Sequence, residues 1–323
     1  MDPSAIYRPI QREMAQVEAR LAQELRADEQ ALAQLTAHVA AYKGKRIRPA
    51  LVLFSGRCMG DISDEHIELA VAMELVHTAT LVHDDILDEA SLRRNSPTIN
   101  VKWGPDVAVM LGDYLLAQAF SLIAAFKSPE ATRQLLQTTM TMCCGEIHQL
   151  HRRYVLDLDE QEYLRIIERK TAALCSACCR LGAMCSESPN GFAEDLAHYG
   201  ANVGIAFQIV DDCLDITGKE SKVGKTLYTD LEKGKMTLPV IRLVSLVPEK
   251  DRLRLKRILF ARSAREAVVE LLPELEKYNA FEYARTRATE HVQEAKRHLN
   301  RLANSVFKEG LIALADYVIE RER

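Results

Sequence analysis

The sequence predicts an all-α protein, and three observations carry that reading. Gly 14 and Pro 10 among 323 residues fall well short of the ~12% this pair contributes to ordinary chains, so turns are few and elements long. Ala, Leu, Glu, Arg and Gln, all strong helix formers, dominate the composition. Apolar positions recur at spacings of three and four, and nowhere alternate with period two for long enough to build a sheet.

Taken in order, residues 11–41 place Met14, Val17, Leu21, Leu25, Leu32 and Leu35 at helical spacing, an amphipathic hairpin. Gly44-Lys45-Arg46-Ile47-Arg48-Pro49 interrupts it, and Pro49 suits the first turn of the next helix, where its missing N–H costs nothing. Ser63-Asp64-Glu65 opens a helix over about 64–89. Asn95-Ser96-Pro97 reads as a loop. Helices follow at roughly 105–126, 129–152, 160–186, 191–217, 235–246, 250–261, 264–272 and 279–304, with a last one near 308–321. Ser128-Pro129, Asp159-Glu160 and Ser188-Pro189-Asn190-Gly191 separate some of them. No Pro/Ser linker or low-complexity tract intervenes.

Lys+Arg 42 against Asp+Glu 46 leaves a net charge of −4, too little cation to coat nucleic acid. The 48% apolar content excludes a disordered acidic chain. Residues 1–30 are charged throughout and hold no signal-peptide core, so a cytoplasmic location is expected. The stretch 107–126 has Asp113 as its only charge and is long enough to span a bilayer. A carboxylate near mid-membrane is costly, so it reads as a helix at the centre of a bundle, with no integral membrane segment expected. Eight cysteines, four of them between 175 and 185, read as reduced and mostly buried thiols without zinc-ligand spacing.

The chemistry is carried by an internal echo. Asp84-Asp85-Ile86-Leu87-Asp88 and Asp211-Asp212-Cys213-Leu214-Asp215 are both D-D-x-x-D runs inside apolar helical context. Asp84 and Asp88 are four apart and share a helix face, with Asp85 about 100° round. Acids embedded among apolar residues need positive partners. All-oxygen clusters select hard cations, and Mg²⁺ keeps one or two carboxylates plus phosphate oxygens. Two acidic runs gripping Mg²⁺ around a phosphorylated ligand are therefore expected. Candidate phosphate-binding cations are Lys45, Arg46, Arg48, Arg93, Arg94, Lys170, Lys225, Lys233 and Lys235. No G-x-x-x-x-G-K-[ST] is present, so a nucleotide P-loop is not the explanation.

Gly44 to Pro49, both D-D-x-x-D runs, Arg93-Arg94, Gly145-Glu146-x-x-Gln149, Lys170-Thr171, Phe207-Gln208 and Gly234-Lys235 together resemble the trans-isoprenyl (polyprenyl) diphosphate synthase family, in its order and spacing from about 40 to 240. The resemblance implies a large helical bundle around a central active-site cavity, and a Mg-dependent head-to-tail condensation of isopentenyl diphosphate with an allylic diphosphate. It implies about three Mg²⁺ per site: Asp84 and Asp88 would hold two and Asp211 a third, with Asp85 in the first metal run and Asp212 and Asp215 as nearer or outer-shell partners. Arg93, Lys170, Lys235 and, with its register open by a residue, Lys225 would bind the allylic diphosphate. Lys45, Arg48, His77 and Arg94 would bind isopentenyl diphosphate, and Thr171, Phe207 and Gln208 would line the carbocation. A homodimer is implied, with no nucleic-acid partner.

Chain growth stops where the cavity ends. One turn before Asp84 stand Ala79 and Thr80, both small, where short-product relatives place bulky aromatics. The tail would pass on to Val76 and Met73, about 16 Å of helix from Asp84. The run 75–83 also resembles the medium- and long-chain branch, so hexaprenyl to decaprenyl products are expected. Leu122, Ile123 or Leu135 of a neighbouring helix are alternative floors. A short-chain synthase, a class I terpene cyclase and a noncatalytic partner subunit are the rival readings. Acids 127 residues apart serving one ligand argue for a single domain over 1–323.

Overall fold

The computed structural model describes residues 3–42, 44–186, 191–218, 227–260 and 264–320. The N-terminal hairpin forms as α1 (Gln11–Glu24) and α2 (Gln30–Ala40), and Pro49 sits in the first turn of α3 (Ile47–Met59). The next helix, α4 (Asp64–Leu87), starts where Ser63 donates its N–H to His66 Nδ1 at 3.1 Å. Leu69, Met73, Val76 and Ala79 on α4 are shut off from solvent, which suits a central rod. It packs along α5 (Pro105–Ala124) and against α3. Then come α6 (Pro129–His151) and α7 (Glu160–Ile167). Ser128 Oγ accepts the Glu130 N–H at 3.3 Å and Asp159 accepts the Glu162 N–H at 2.7 Å, the caps their sequences advertise.

Small residues decide the packing of α8 (Ala173–Met184), which wedges between α3 and α9 (Ala193–Thr217). A Cβ on Gly182 would lie 2.4 Å from the Val52 carbonyl oxygen, and one on Gly200 equally close to that of Cys175. Cys175, Cys178 and Cys179 are buried in that tight seam, and Cys213 in α9. Cys143 and Cys144, on α6, are exposed instead. Five further helices complete the shell: α10 (Leu238–Leu246), α11 (Glu249–Leu259), α12 (Ala264–Lys277), α13 (Ala280–His298) and α14 (Val306–Glu320). Of these, α13 lies along α9.

Three expectations need correction. The apolar 107–126 stretch is not central. Only 33% of its most apolar window is buried, although it is the one helix among the described residues long and apolar enough to cross a membrane. Ala108, Leu111, Leu115, Ala119 and Ile123 face α4, while Val109 and Met110 on the other side stay exposed. One buried stripe satisfies the bundle, and the excess hydrophobicity lies outside it. Second, the 160–186 stretch is not one regular helix: the backbone widens to a π turn over Glu168–Ala172. Third, the 95–97 loop is the turn of a small hairpin, in which β1 (Leu92–Arg93) pairs antiparallel with β2 (Ser96–Pro97). Arg94 and Asn95 take φ of 51° and 64°, as a two-residue hairpin turn demands. That turn sends Arg93 and Arg94 in different directions.

Candidate active site

The C-terminal end of α4, the middle of α9, the π turn and the loop ahead of α10 enclose a cavity of about 470 Å³. Asp84 and Asp88 line it from α4 and Asp211 from α9. Lys170 and Thr171 enter from the π turn, Lys235 from the loop, and Arg48, His77, Arg93, Phe207 and Gln208 complete the polar half. Leu116, Met142, Cys143, Ile147 and Leu174 line an apolar half. One cavity thus offers both charged groups and apolar surface.

Asp88 is the most heavily paired acid. Lys235 Nζ donates to its Oδ2 at 2.7 Å and an Arg153 guanidinium nitrogen to its Oδ1 at 2.9 Å. Burial alone would raise its pKa, but Lys235, Lys170 and Arg153 outweigh that and hold it below the usual carboxylate value. Lys170 Nζ donates to Gln149 Oε1 at 2.9 Å, pairs with Glu146, and stands 4.0 Å from Asp84. The π turn makes this placement possible, because a Cβ on Gly145 would lie 2.5 Å from the Lys170 backbone nitrogen. Only glycine lets α6 approach so closely.

Asp85 is turned away from the cavity. It is 2% exposed and accepts Arg93 Nε at 3.0 Å. Burial, only partly offset by Arg93, raises its pKa. Arg93 therefore reaches the cavity wall with its Nε already engaged.

The second acidic run is buried more deeply. Asp212 accepts Tyr163 OH at 2.7 Å and Gln208 Nε2 at 2.7 Å. Burial first, with Asp230 adding, pushes its pKa up to about 8. Asp215 is fully buried and accepts Thr229 Oγ1 and the Asp230 N–H, each at 3.2 Å. The chain Thr171 Oγ1 to Gln208 Oε1 at 2.9 Å, then Gln208 to Asp212, orients the Gln208 amide beside the cavity.

Of the remaining expected residues, Lys45 lies with its Nζ 5.3 Å from the Tyr317 ring centre, and Arg94 donates to the Tyr42 carbonyl at 2.7 Å. Both stand behind the cavity wall rather than among its lining residues. Lys225 lies outside the described residues. Thr80 lines the cavity, whereas Ala79, Val76 and Met73 are fully buried beyond it. Ile123 and Leu135 are fully buried too, and neither they nor Leu122 line it.

The sequence reading passed over Arg153, Asp230 and Tyr163, and gave no role to Glu146 and Gln149. Glu146 and Gln149 stand in a motif that was visible, Gly145-Glu146-x-x-Gln149. Arg153 ends a helix whose exit direction only the fold reveals. A wider depression of about 640 Å³ lies along α13, lined by charges that pair locally, such as Arg287 with Glu290, and Arg297 with Glu294 at 2.6 Å. Nothing there converges on a ligand.

No three His, Cys, Asp or Glu side chains among the described residues close around one point. The carboxylates that face the cavity are spread across it. An ion held by one or two of them needs further oxygens from its ligand, the pattern expected of Mg²⁺ with a phosphate.

The polyprenyl synthetase family model matches residues 29–275. A heptaprenyl diphosphate synthase component 2 from Bacillus subtilis is 36% identical over 307 residues, covering 95% of this chain and 87% of the relative. A short chain isoprenyl diphosphate synthase from Methanothermobacter thermautotrophicus is 38% identical over 296 residues, 90% of each. The crystal structure of a polyprenyl synthase from Caulobacter crescentus, complexed with calcium and isoprenyl diphosphate, superposes with a TM-score of 0.94 at 31% identity, covering 99% of this chain and 98% of that one.

Proposed function

This chain belongs to the polyprenyl synthetase family and is a trans-prenyltransferase; from that premise we propose that it joins isopentenyl diphosphate to an allylic diphosphate, head to tail, to make medium- or long-chain trans-polyprenyl diphosphates. One observation carries the site assignment: Asp84, Asp88, Asp211, Lys170 and Lys235 line one cavity together with apolar side chains such as Leu116, Met142 and Leu174.

Asp84, Asp88 and Asp211 would hold Mg²⁺, which would neutralise charge on the departing diphosphate. Lys170 and Lys235 add fixed positive charge at the same place, preorganised by their acidic partners. In our reading the allylic C–O bond breaks and its electron pair leaves with the diphosphate. The isopentenyl double bond then forms the new C–C bond, and the released diphosphate takes the lost proton. The Phe207 ring and the Thr171–Gln208 pair face the transient cation without offering it a strong nucleophile. The apolar half excludes water that would quench it. Arg48 and His77, with Lys45 and Arg94 behind them, form the isopentenyl diphosphate side.

The length proposal rests on Ala79 and Thr80, which set no bulky floor on α4. The 470 Å³ cavity supports the rival short-chain reading, because it ends before Val76 and Met73. The long-chain reading therefore requires the tail to push apart the α4–α5 seam. We further propose that the whole chain works as one domain, in the cytoplasm, as a homodimer. Val109 and Met110 on α5 and Met140 and Ile147 on α6 leave an exposed apolar face for a second copy. Incubation with isopentenyl diphosphate, an allylic primer and Mg²⁺, followed by chromatography of the dephosphorylated products, tests the function. Elongated prenols of six or more units are expected, and no elongation would sink it.

A further inference from the structure

We propose that Glu74 and Arg46 form a positioning pair that sets the isopentenyl diphosphate loop, with Arg46 acting as its anchor and not as a ligand of the substrate. This rests on the assignment of Lys45 and Arg48 to isopentenyl diphosphate. The run 44–48 carries three cations, of which the resemblance assigns Lys45 and Arg48 to substrate and gives Arg46 no role. The fold gives it one.

Arg46 stands at the N-cap of α3 with φ of 51°, a left-handed backbone that a side chain disfavours. Such a conformation persists only where its surroundings hold it. Here two acids do so from two helices. The Arg46 guanidinium donates to Glu18 on α1 at 2.6 Å and to Glu74 on α4 at 2.7 Å. Glu74 is only 3% exposed, so its charge is compensated by protein and not by water. Arg46 lines a small cleft with Glu74, His77 and Arg94, behind the wall of the main cavity.

The same loop is clamped at two more points. Tyr7 OH donates to the Lys45 carbonyl at 2.7 Å. The Arg94 guanidinium lies directly under Gly44, where a Cβ would come within 2.6 Å of it. With Arg46 turned inward, the flanking Arg48 is free to line the cavity. Glu74 is also the buried anion behind a set of cations, Arg46, Arg48 and Arg94, that would otherwise repel one another before substrate arrives.

The test separates the two substrates. Glu74→Gln and Arg46→Gln are each expected to raise KM for isopentenyl diphosphate roughly 10- to 100-fold, the range over which supporting contacts act. KM for the allylic diphosphate should stay near its original value, while the melting temperature falls because each variant leaves a buried group without its charged partner. The double variant should be no worse than the more damaged single one, because both break one contact. Glu74→Asp should recover part of the loss. Glu18 is half exposed, so Glu18→Gln folds readily and should move the same KM in the same direction by less. Equal rises in both KM values, or additive single effects, would overturn the pair. So would damage from Arg46→Gln with none from Glu74→Gln, which would make Arg46 a direct ligand. Lys45→Gln and Arg48→Gln serve as the control: if they leave the isopentenyl KM unchanged, the subsite assignment itself fails.

Discussion

The two D-D-x-x-D runs are the same string of residues in two different environments. The first closes α4, so Asp84 and Asp88 emerge at a helix end beside Lys170, Lys235 and Arg153, and only Asp85 is turned inward. The second lies inside α9, where Asp212 and Asp215 are buried against Tyr163, Gln208, Thr229 and the Asp230 backbone, and only Asp211 faces the cavity. Spacing brings acids to one side of a helix. Which of them meets a ligand depends on what packs against the others.

The largest effect should come from the acids that face the cavity. Asp84→Ala and Asp211→Ala are each expected to lower kcat/KM by roughly 100- to 1000-fold, the scale of one lost preorganised electrostatic contact. Steady-state assays with both diphosphates measure this. If Asp211→Ala is nearly silent while Asp84→Ala is not, the second run is scaffold throughout and the comparison collapses.

Asp88→Asn should cost less, about 10- to 100-fold, because the amide oxygen still accepts from one of Lys235 and Arg153, while the other donor loses its acceptor and the charge is gone. The loss should shrink as Mg²⁺ is raised if Asp88 acts through the ion. A loss independent of Mg²⁺ would place Asp88 with the buried acids instead.

A third difference is what each helix does away from its acids. Helix α4 runs back past Thr80 and Ala79, the path proposed for the growing tail, whereas α9 runs back along Ala172 and Cys175 at glycine-close distances. Ala79→Phe should therefore leave the first condensation near its original rate and shorten the final product by several units. Unchanged product length on thin-layer chromatography would refute the tail path along α4.

These contrasts also mark what the sequence made legible. Helix starts at Ser63, Ser128 and Asp159 were readable because a cap is local chemistry. The π turn at Glu168–Ala172 was not, because the apolar period runs straight through it and the close packing it accompanies, of Gly145 against Lys170, involves another helix. The exposure of α5 was misread because a helix apolar on all sides normally signals burial. The resemblance already set apart Asp84, Asp88 and Asp211, the three acids that line the cavity, but not the partners that pack Asp85, Asp212 and Asp215 away from it. Arg153 and Asp230 were illegible because their roles come from the loops that carry them to Asp88 and Asp215.

The smallest expected effect is the sharpest test of the buried side. Tyr163→Phe removes only the hydroxyl that donates to Asp212, leaving the ring in place. A buried acceptor that loses one of its two donors costs about 1–3 kcal/mol of stability. Asp212 keeps Gln208, and Gln208 keeps Thr171, so the amide beside the cavity stays oriented. The melting temperature should therefore fall by several degrees while kcat drops only a few-fold. Scanning calorimetry and initial rates on the same preparation measure both. A large fall in kcat at unchanged stability would mean that Asp212 acts in the reaction and that the two runs are more alike than their burial implies.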